Sequence, residues 1–362
     1  MRLLCLDIGT GTQDILLLDT AQPVENAIQL VLPAPTVLAA RKIEAATAGG
    51  NPIVFTGETM GGDICVKALR KHLQAGFKAY ATPEAARTFR DDLDRVTSWG
   101  VQLVSYEEAA ALKERAAIRL GDVNLETLEQ ALSCWDIELA PDVVAIAVLD
   151  HGAAPPGESE RLFRFLHLER LLQGNNTLES FIFTPAELPG YLTRMQAVVR
   201  SVGEEVPLIL MDTGAAAVLG ASLDKVVATH PHLLAVNLGN SHTLAFNLAG
   251  SRVLGLFEHH TWLLSLDRLE TLLEGLVSGN LNSTELWGEG GHGSLIIEKS
   301  EKPFIAATGP RRELMARSRL NPYFAAPFGS MMLAGCFGLA RAVALKLPEH
   351  RDELEKALFA GS

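Results

Sequence analysis

Short apolar runs alternate along the chain with segments whose apolar positions recur at helical spacing, the pattern of an α/β protein. Residues 3–8 predict a strand, and residues 15–18 a second one. Gly9-Thr10-Gly11-Thr12 between them is short enough and small enough to be a hairpin turn. Residues 27–32 predict a third strand, and residues 52–56 a fourth that leads through a Gly-rich stretch into a helical pattern ending near Leu73. Thr82-Pro83-Glu84 reads as a helix start, because proline suits the first helical position. Residues 143–149 are continuously apolar, as in a strand covered on both faces. Helical spacing returns at Leu162, Phe165, Leu166, Leu168 and Leu172. Further strands are expected at residues 207–211, 233–237, 243–246 and 304–307, and an apolar helix with small residues from 327 to 347.

One device occurs twice. A strand ending in Asp7 or Asn237 runs into a Gly-rich turn and out into another strand, once in each half of the chain. This repetition predicts two related domains facing a shared cleft. The breakers Thr184-Pro185 and Leu188-Pro189-Gly190 put the expected break near residues 185–205, giving domains 1–195 and 196–362.

Composition narrows the partners. With 31 Lys and Arg against 43 Asp and Glu, the 362-residue chain carries a formal charge of −12. That argues against a general nucleic-acid binder, which needs a basic surface to displace counterions. It leaves room for a small anion held by backbone N–H groups. Asp7 interrupts the apolar run a secretory leader would need, and the apolar stretch 322–340 is too broken by Gly and Pro for a membrane span. A cytoplasmic protein acting on a small molecule is therefore expected, with its oligomeric state open. The four cysteines are scattered, with neither CxxC nor CxxxCxxC spacing, so Cys-ligated zinc and iron–sulfur clusters lack their ligands.

The turns carry the candidate chemistry. Gly-rich turns let backbone N–H groups approach a phosphate, and Thr10 and Thr12 add hydroxyl donors. Asp7 at the strand end is placed to hold Mg²⁺ through water. An ordinary hairpin with Asp7 satisfied by its own turn is the competing reading. The second turn, Asn237-Leu238-Gly239-Asn240-Ser241-His242-Thr243, would grip the same polyphosphate from the other side.

With these segments in this order, the sequence resembles the actin-like ATPase superfamily of sugar and acetate kinases, chaperone ATPases and actin. Residues 7–13 match the first phosphate loop and 237–243 the second, while 211–220 and 329–342 look like the two connecting helices. Thr308-Gly309-Pro310 matches the adenosine loop less closely, having Pro310 where the family has a second glycine. Within the superfamily the chain is most similar to an uncharacterised prokaryotic family, some of whose members are labelled pyruvate formate-lyase activating proteins. That label implies radical chemistry on a Cys-ligated cluster, which this chain has no CxxxCxxC to hold.

The resemblance implies ATP with Mg²⁺ between two ribonuclease-H-like domains. Asp7 would order the metal waters, while Gly9, Thr10, Gly11, Thr12 and Gln13 cradle phosphate from one side and Asn237, Gly239, Asn240, His242 and Thr243 from the other. Thr308 and Gly309 would border the base. The catalytic base would be Asp212 or, as in sugar kinases, the strand-end Asp150. Asn237 stands where the family has Asp, which bears on turnover more than on binding. A nucleotide sensor with little turnover is thus the alternative to a kinase or ATPase.

The histidines suggest a third reading. His151, His242, His259 and His292 lie beside strand ends or Gly-rich turns, and imidazoles converging on a cleft would form a transition-metal site. If residues 259 and 260 lie in a strand, only one of the pair His259-His260 faces the cleft. Chance scatter among ten histidines is the bland account. Two further segments are weighed: Gly57-Glu58-Thr59-Met60-Gly61-Gly62-Asp63 as an acceptor-pocket wall or an ordinary loop, and Trp287 as a buried aromatic or a lid anchor.

Overall fold

The computed structural model describes residues 1–112 and 115–359. Residues 3–8 are buried on both faces, so the strand Arg2–Ile8 lies in the interior of its sheet. It pairs antiparallel with Thr12–Asp19, which pairs antiparallel with Ile28–Pro33. On its other side lie Val143–Val148 and then Leu208–Asp212, both parallel to it, and the short antiparallel edge strand Ile182–Phe183.

The second sheet repeats this order. His232–Leu238 pairs antiparallel with His242–Ala249, which pairs antiparallel with Arg252–His260. Phe304–Thr308 and Tyr323–Phe324 continue in parallel on the other side, and Gly293–Ile296 extends the antiparallel edge. A three-strand meander followed by two parallel strands, twice over, is a pair of ribonuclease-H-like units. The chain has the fold of the actin-like ATPases.

Two helices join the sheets by exchange. Thr213–Ala221 leaves the first sheet and packs on the strands His232–Leu238, His242–Ala249 and Phe304–Thr308 of the second. Ala334–Lys346 leaves the second sheet and packs on Arg2–Ile8, Thr12–Asp19, Val143–Val148 and Leu208–Asp212 of the first. Both helices are buried around most of their circumference, and together with the inner faces of the sheets they form one continuous apolar core. They cross backbone to backbone: a methyl group on Gly220 would fall on the Ala334 carbonyl oxygen, and one on Gly338 on the Ala216 carbonyl oxygen.

Three sequence expectations are corrected. The break at 195/196 does not separate the sheets, because Leu208–Asp212 belongs to the first sheet and helix Thr193–Val202 packs beside it. The apolar helix expected from 327 begins only at Ala334, since Phe328 (φ 51°) and Gly329 (φ 78°) adopt left-handed conformations that end a preceding turn. An inserted unit between Ile28–Pro33 and Val143–Val148 has its own four-stranded parallel sheet, ordered Val101–Leu103, Ala79–Ala81, Ile53–Gly57, Ala116–Leu120, and its own core. Among the described residues no helix is long and apolar enough to cross a membrane.

The crossing gives a prediction of sign. Gly220→Ala should cost about 1–3 kcal/mol by overpacking. Gly275→Ala, in helix Leu266–Ser278 with its nearest neighbour 3.5 Å from the new methyl, should gain up to about 1 kcal/mol of helix propensity. Urea denaturation of both variants measures this, and equal effects would contradict the backbone contact.

Candidate functional site: one cleft between two hairpins

Both Gly turns close with the same bond. Gly9 N–H donates to the Thr12 carbonyl at 2.9 Å, and Gly239 N–H to the His242 carbonyl at 2.9 Å. The turns face each other closely enough that Gly11 rests on the Asn240 side chain. Beside them opens a cavity of about 780 Å³. Gly9, Thr10, Asn237, Gly239, Asn240 and His242 line it, with the strand ends Asp150 and Asp212. The inserted unit supplies the opposite wall through residues 59–63, so the segment around Gly61 and Gly62 does border the cavity. Ser241 Oγ donates to Asp63 Oδ2 at 2.9 Å, joining that wall to the second turn.

Several expected residues are elsewhere. Gly11, Thr12, Gln13, Thr243, Thr308 and Gly309 do not line the cavity. Gln13 Nε2 donates to the Pro33 carbonyl at 3.2 Å, and the Thr243 hydroxyl, fully buried, lies 3.0 Å from that of Thr261. Gly309 (φ 95°) packs against the Leu238 carbonyl and the Asn237 side chain, so the expected adenosine loop is closed against the sheet. Asp7 lies under its turn. Thr213 Oγ1 donates to its Oδ1 at 2.5 Å, and its Oδ2 abuts Gly335. As placed, it offers the cavity no carboxylate for Mg²⁺.

Asp7 and its cross-strand neighbour Asp14 share this buried pocket. Burial pushes Asp7 up to about 7, with the Asp212 charge adding and the Thr213 bond and Arg194 opposing. Burial and then the Asp7 charge push Asp14 to about 8, against its bond with Thr12. Asp14 Oδ1 has no hydrogen-bond partner among the described residues.

The cavity floor is a charged network. Arg164, 1% exposed, donates through Nε to both oxygens of the fully buried Glu258 at 3.0 and 2.8 Å. Its Nη1 donates to the Asp150 carbonyl at 2.9 Å, and its Nη2 pairs with Asp212 Oδ2 at 2.9 Å. Burial disfavours its charge, but Asp212 and Glu258 outweigh that and raise its pKa further. Asp212 also caps the helix Thr213–Ala221 by accepting from Gly214 N–H at 2.9 Å. Asp150 accepts from Gly152 N–H at 2.8 Å and Met195 N–H at 2.9 Å, while burial carries its pKa to about 6. Lys67, Arg70, Arg87, Arg90, Arg95 and Arg161 line the same cavity, and Arg194 binds Asp122 in its wall at 2.7 Å.

The histidines do converge, with one exchange. Ligand atoms of His151, His242 and His292 all lie within 4.8 Å of one another. His260 completes the group at ring distances of 4.9 Å from His242 and 4.8 Å from His292, and it stacks on Trp262 at 4.2 Å. His259 points to the other face of strand Arg252–His260, where Gly291 and Leu286 lie, so it is not part of the cluster. Burial lowers the proton affinity of all four cluster rings, that of His260 to about 4. Trp287 is 41% exposed, with Arg161 over its ring at 5.5 Å, and is not a core aromatic.

The family model described as "Putative pyruvate format-lyase activating enzyme (DUF1786)" matches residues 60–314. The chain belongs to that family. The described residues of this DUF1786 chain do not carry the cluster chemistry its label implies: Cys5, Cys65 and Cys336 are buried, Cys134 is exposed, and no three cysteines come together. No curated protein matches the sequence. Among solved structures, the ethanolamine utilization protein EutJ from Carboxydothermus hydrogenoformans is 11% identical, covering 94% of this chain and 89% of its own, at a TM-score of 0.35. The ROK hexokinase from Thermus thermophilus is 12% identical, covering 96% and 100%, at 0.33. An Aquifex aeolicus Ppx/GppA phosphatase is 11% identical, covering 100% and 89%, at 0.26. These likenesses are too loose to say what this cleft does.

Sequence reasoning missed Arg164 and Glu258, and of the pair His259-His260 it left open which one faces the cleft. The signals were present: Arg164 is a charge four residues before Leu168 on an apolar helix face, and Glu258 follows the apolar run ending in Phe257.

One prediction comes from the Arg164 network and one from the buried Asp7–Asp14 pair. Arg164→Ala leaves Glu258 and Asp212 buried without their cation and should cost about 3–5 kcal/mol in urea unfolding; a loss under about 0.5 kcal/mol would contradict the network. The Asp14 pKa is raised on folding, so its stabilising contribution is full below its unfolded value and is lost as pH rises through about 8. The wild-type melting temperature should therefore fall between about pH 6 and pH 9 more steeply than that of Asp14→Asn. Equal slopes would overturn the raised pKa.

Proposed function

We propose that the cleft binds the phosphates of a nucleotide between the two Gly turns and transfers phosphoryl to a small anionic acceptor. The observation that carries this reading is that equivalent turns from the two repeated units border one cavity. Phosphoryl transfer asks mainly for positioning and charge neutralisation. The turn N–H groups and Thr10 provide the first, and the Lys67, Arg70, Arg87 and Arg90 wall the second. The acceptor lies toward the inserted unit. Asp150, with a pKa near 6 and a carboxylate oriented by two amides, takes the acceptor hydroxyl proton as the new O–P bond forms, while the bond from the γ-phosphorus to the β–γ bridging oxygen breaks and the nucleoside diphosphate leaves. Magnesium would arrive with the nucleotide, its charge adding to that of the arginines.

A second reading, a nucleotide sensor with slow turnover, is favoured by one observation. Asp212 is already held by Arg164 and the helix start, which agrees with the resemblance, since the actin-like superfamily has Asp where this chain has Asn237.

Calorimetric titration with Mg-ATP and an assay of ADP release in the presence of candidate acceptors test both. Saturable binding is expected, weakened about tenfold, or about 1.4 kcal/mol, in Asn240→Ala. Binding with release that is lost in Asp150→Asn supports transfer. Binding without release in the presence of candidate acceptors supports the sensor, and no binding overturns both.

A further inference from the structure

We infer that His151, His242 and His292 form a binding site for a divalent transition metal, zinc or a neighbour of its row, with an open coordination position facing the cleft. This inference is independent of the nucleotide reading.

His292 is 1% exposed, yet among the described residues neither ring nitrogen has a hydrogen-bond partner. Burying two unsatisfied polar atoms on one ring costs free energy, and native structures rarely leave such groups without a reason. His242 Nε2, beside it, is also buried and has no hydrogen-bond partner among the described residues. The nitrogens these rings direct at one another are the ones a metal would take. Ligand atoms of the three rings all lie within 4.8 Å of one another, and closing on a metal means contracting toward the roughly 3.3 Å edge of a tetrahedron with zinc–nitrogen bonds near 2.0–2.1 Å. Three nitrogen donors select a transition metal over Mg²⁺ or Ca²⁺, which prefer oxygen.

The surroundings fit a centre with a vacant position. His292 lies behind the cavity, whereas His151 and His242 line it, so the fourth position points into the cleft. Glu258 Oε1 stands 4.0 Å from His292 Nδ1, within reach of the outer carboxylate that commonly orients a ligating histidine. Arg164 fixes that carboxylate. His151 comes from the loop after Val143–Val148 in the first sheet, whereas His242 opens a strand of the second sheet and His292 immediately precedes another, Gly293–Ile296. Metal bound here would tie the two units together across the cleft.

The test is titration of the chelator-treated full chain with Co²⁺, without nucleotide, followed by visible spectroscopy and zinc competition. One equivalent should bind with the intense bands of four- or five-coordinate cobalt, be displaced by Zn²⁺, and raise the melting temperature. His151→Gln and His292→Ala, with near-ultraviolet dichroism checking the fold, should each weaken binding at least about tenfold, whereas His259→Ala should leave it unchanged. Folded wild-type protein that takes up no stoichiometric Co²⁺ would overturn the site. So would a His259→Ala loss equal to that of His151→Gln.

Discussion

The structure depends on a contact between two pieces of backbone. Where helices Thr213–Ala221 and Ala334–Lys346 cross, Gly220 and Gly338 leave no side chain between them. Each helix starts in one sheet and packs on the other, so this crossing sets the distance between the sheets. The sheets in turn carry the turns at residues 9–11 and 239–241, and the cleft is what the spacing leaves between them. Gly335 extends the same close packing to Asp7, which explains why that carboxylate is held beneath the turn.

Charge is distributed unevenly around this frame. The chain as a whole is acidic, at −12, yet the cleft gathers arginines from the inserted unit and from helix Glu160–Leu172. Arg164 is the pivot, because its guanidinium meets Asp150 and Asp212 from the first sheet and Glu258 from the second. A buried ion network of this kind is a doubtful source of net stability, but it fixes geometry: removing any member strands the others. It sets the two strand-end aspartates and the histidine cluster in one frame.

Much of this was legible in the sequence. The strand–turn–strand device and its second copy are strong local signals, and the repeat of residues 7–14 in 237–243 led to the two-unit fold. The inserted sheet was not, because Ala79–Ala81 and Val101–Leu103 are three residues each, too short for any periodicity to register. The domain break failed for a different reason. Pro and Gly mark where the chain turns, while sheet membership of Leu208–Asp212 is decided by pairing with Val143–Val148, far earlier in sequence. Among the histidines, strand alternation stated that one of His259 and His260 must face away, but not which; that depends on the register with His242, which pairs with His260. Asp7 fell where motif and packing disagree: its position in the turn suggested an exposed metal ligand, and the glycine opposite it draws the helix over it.

The central claim is that the repeated turns form the two jaws of a single phosphate site. A crystal structure of the full chain grown with Mg²⁺ and a non-hydrolysable ATP analogue tests it most directly. The account predicts phosphate density between the backbone of residues 9–11 and 239–241, with the adenosine end displacing the segment at Thr308 and Gly309. An analogue bound away from both turns, or density contacting one turn alone with the two jaws unchanged, would contradict it.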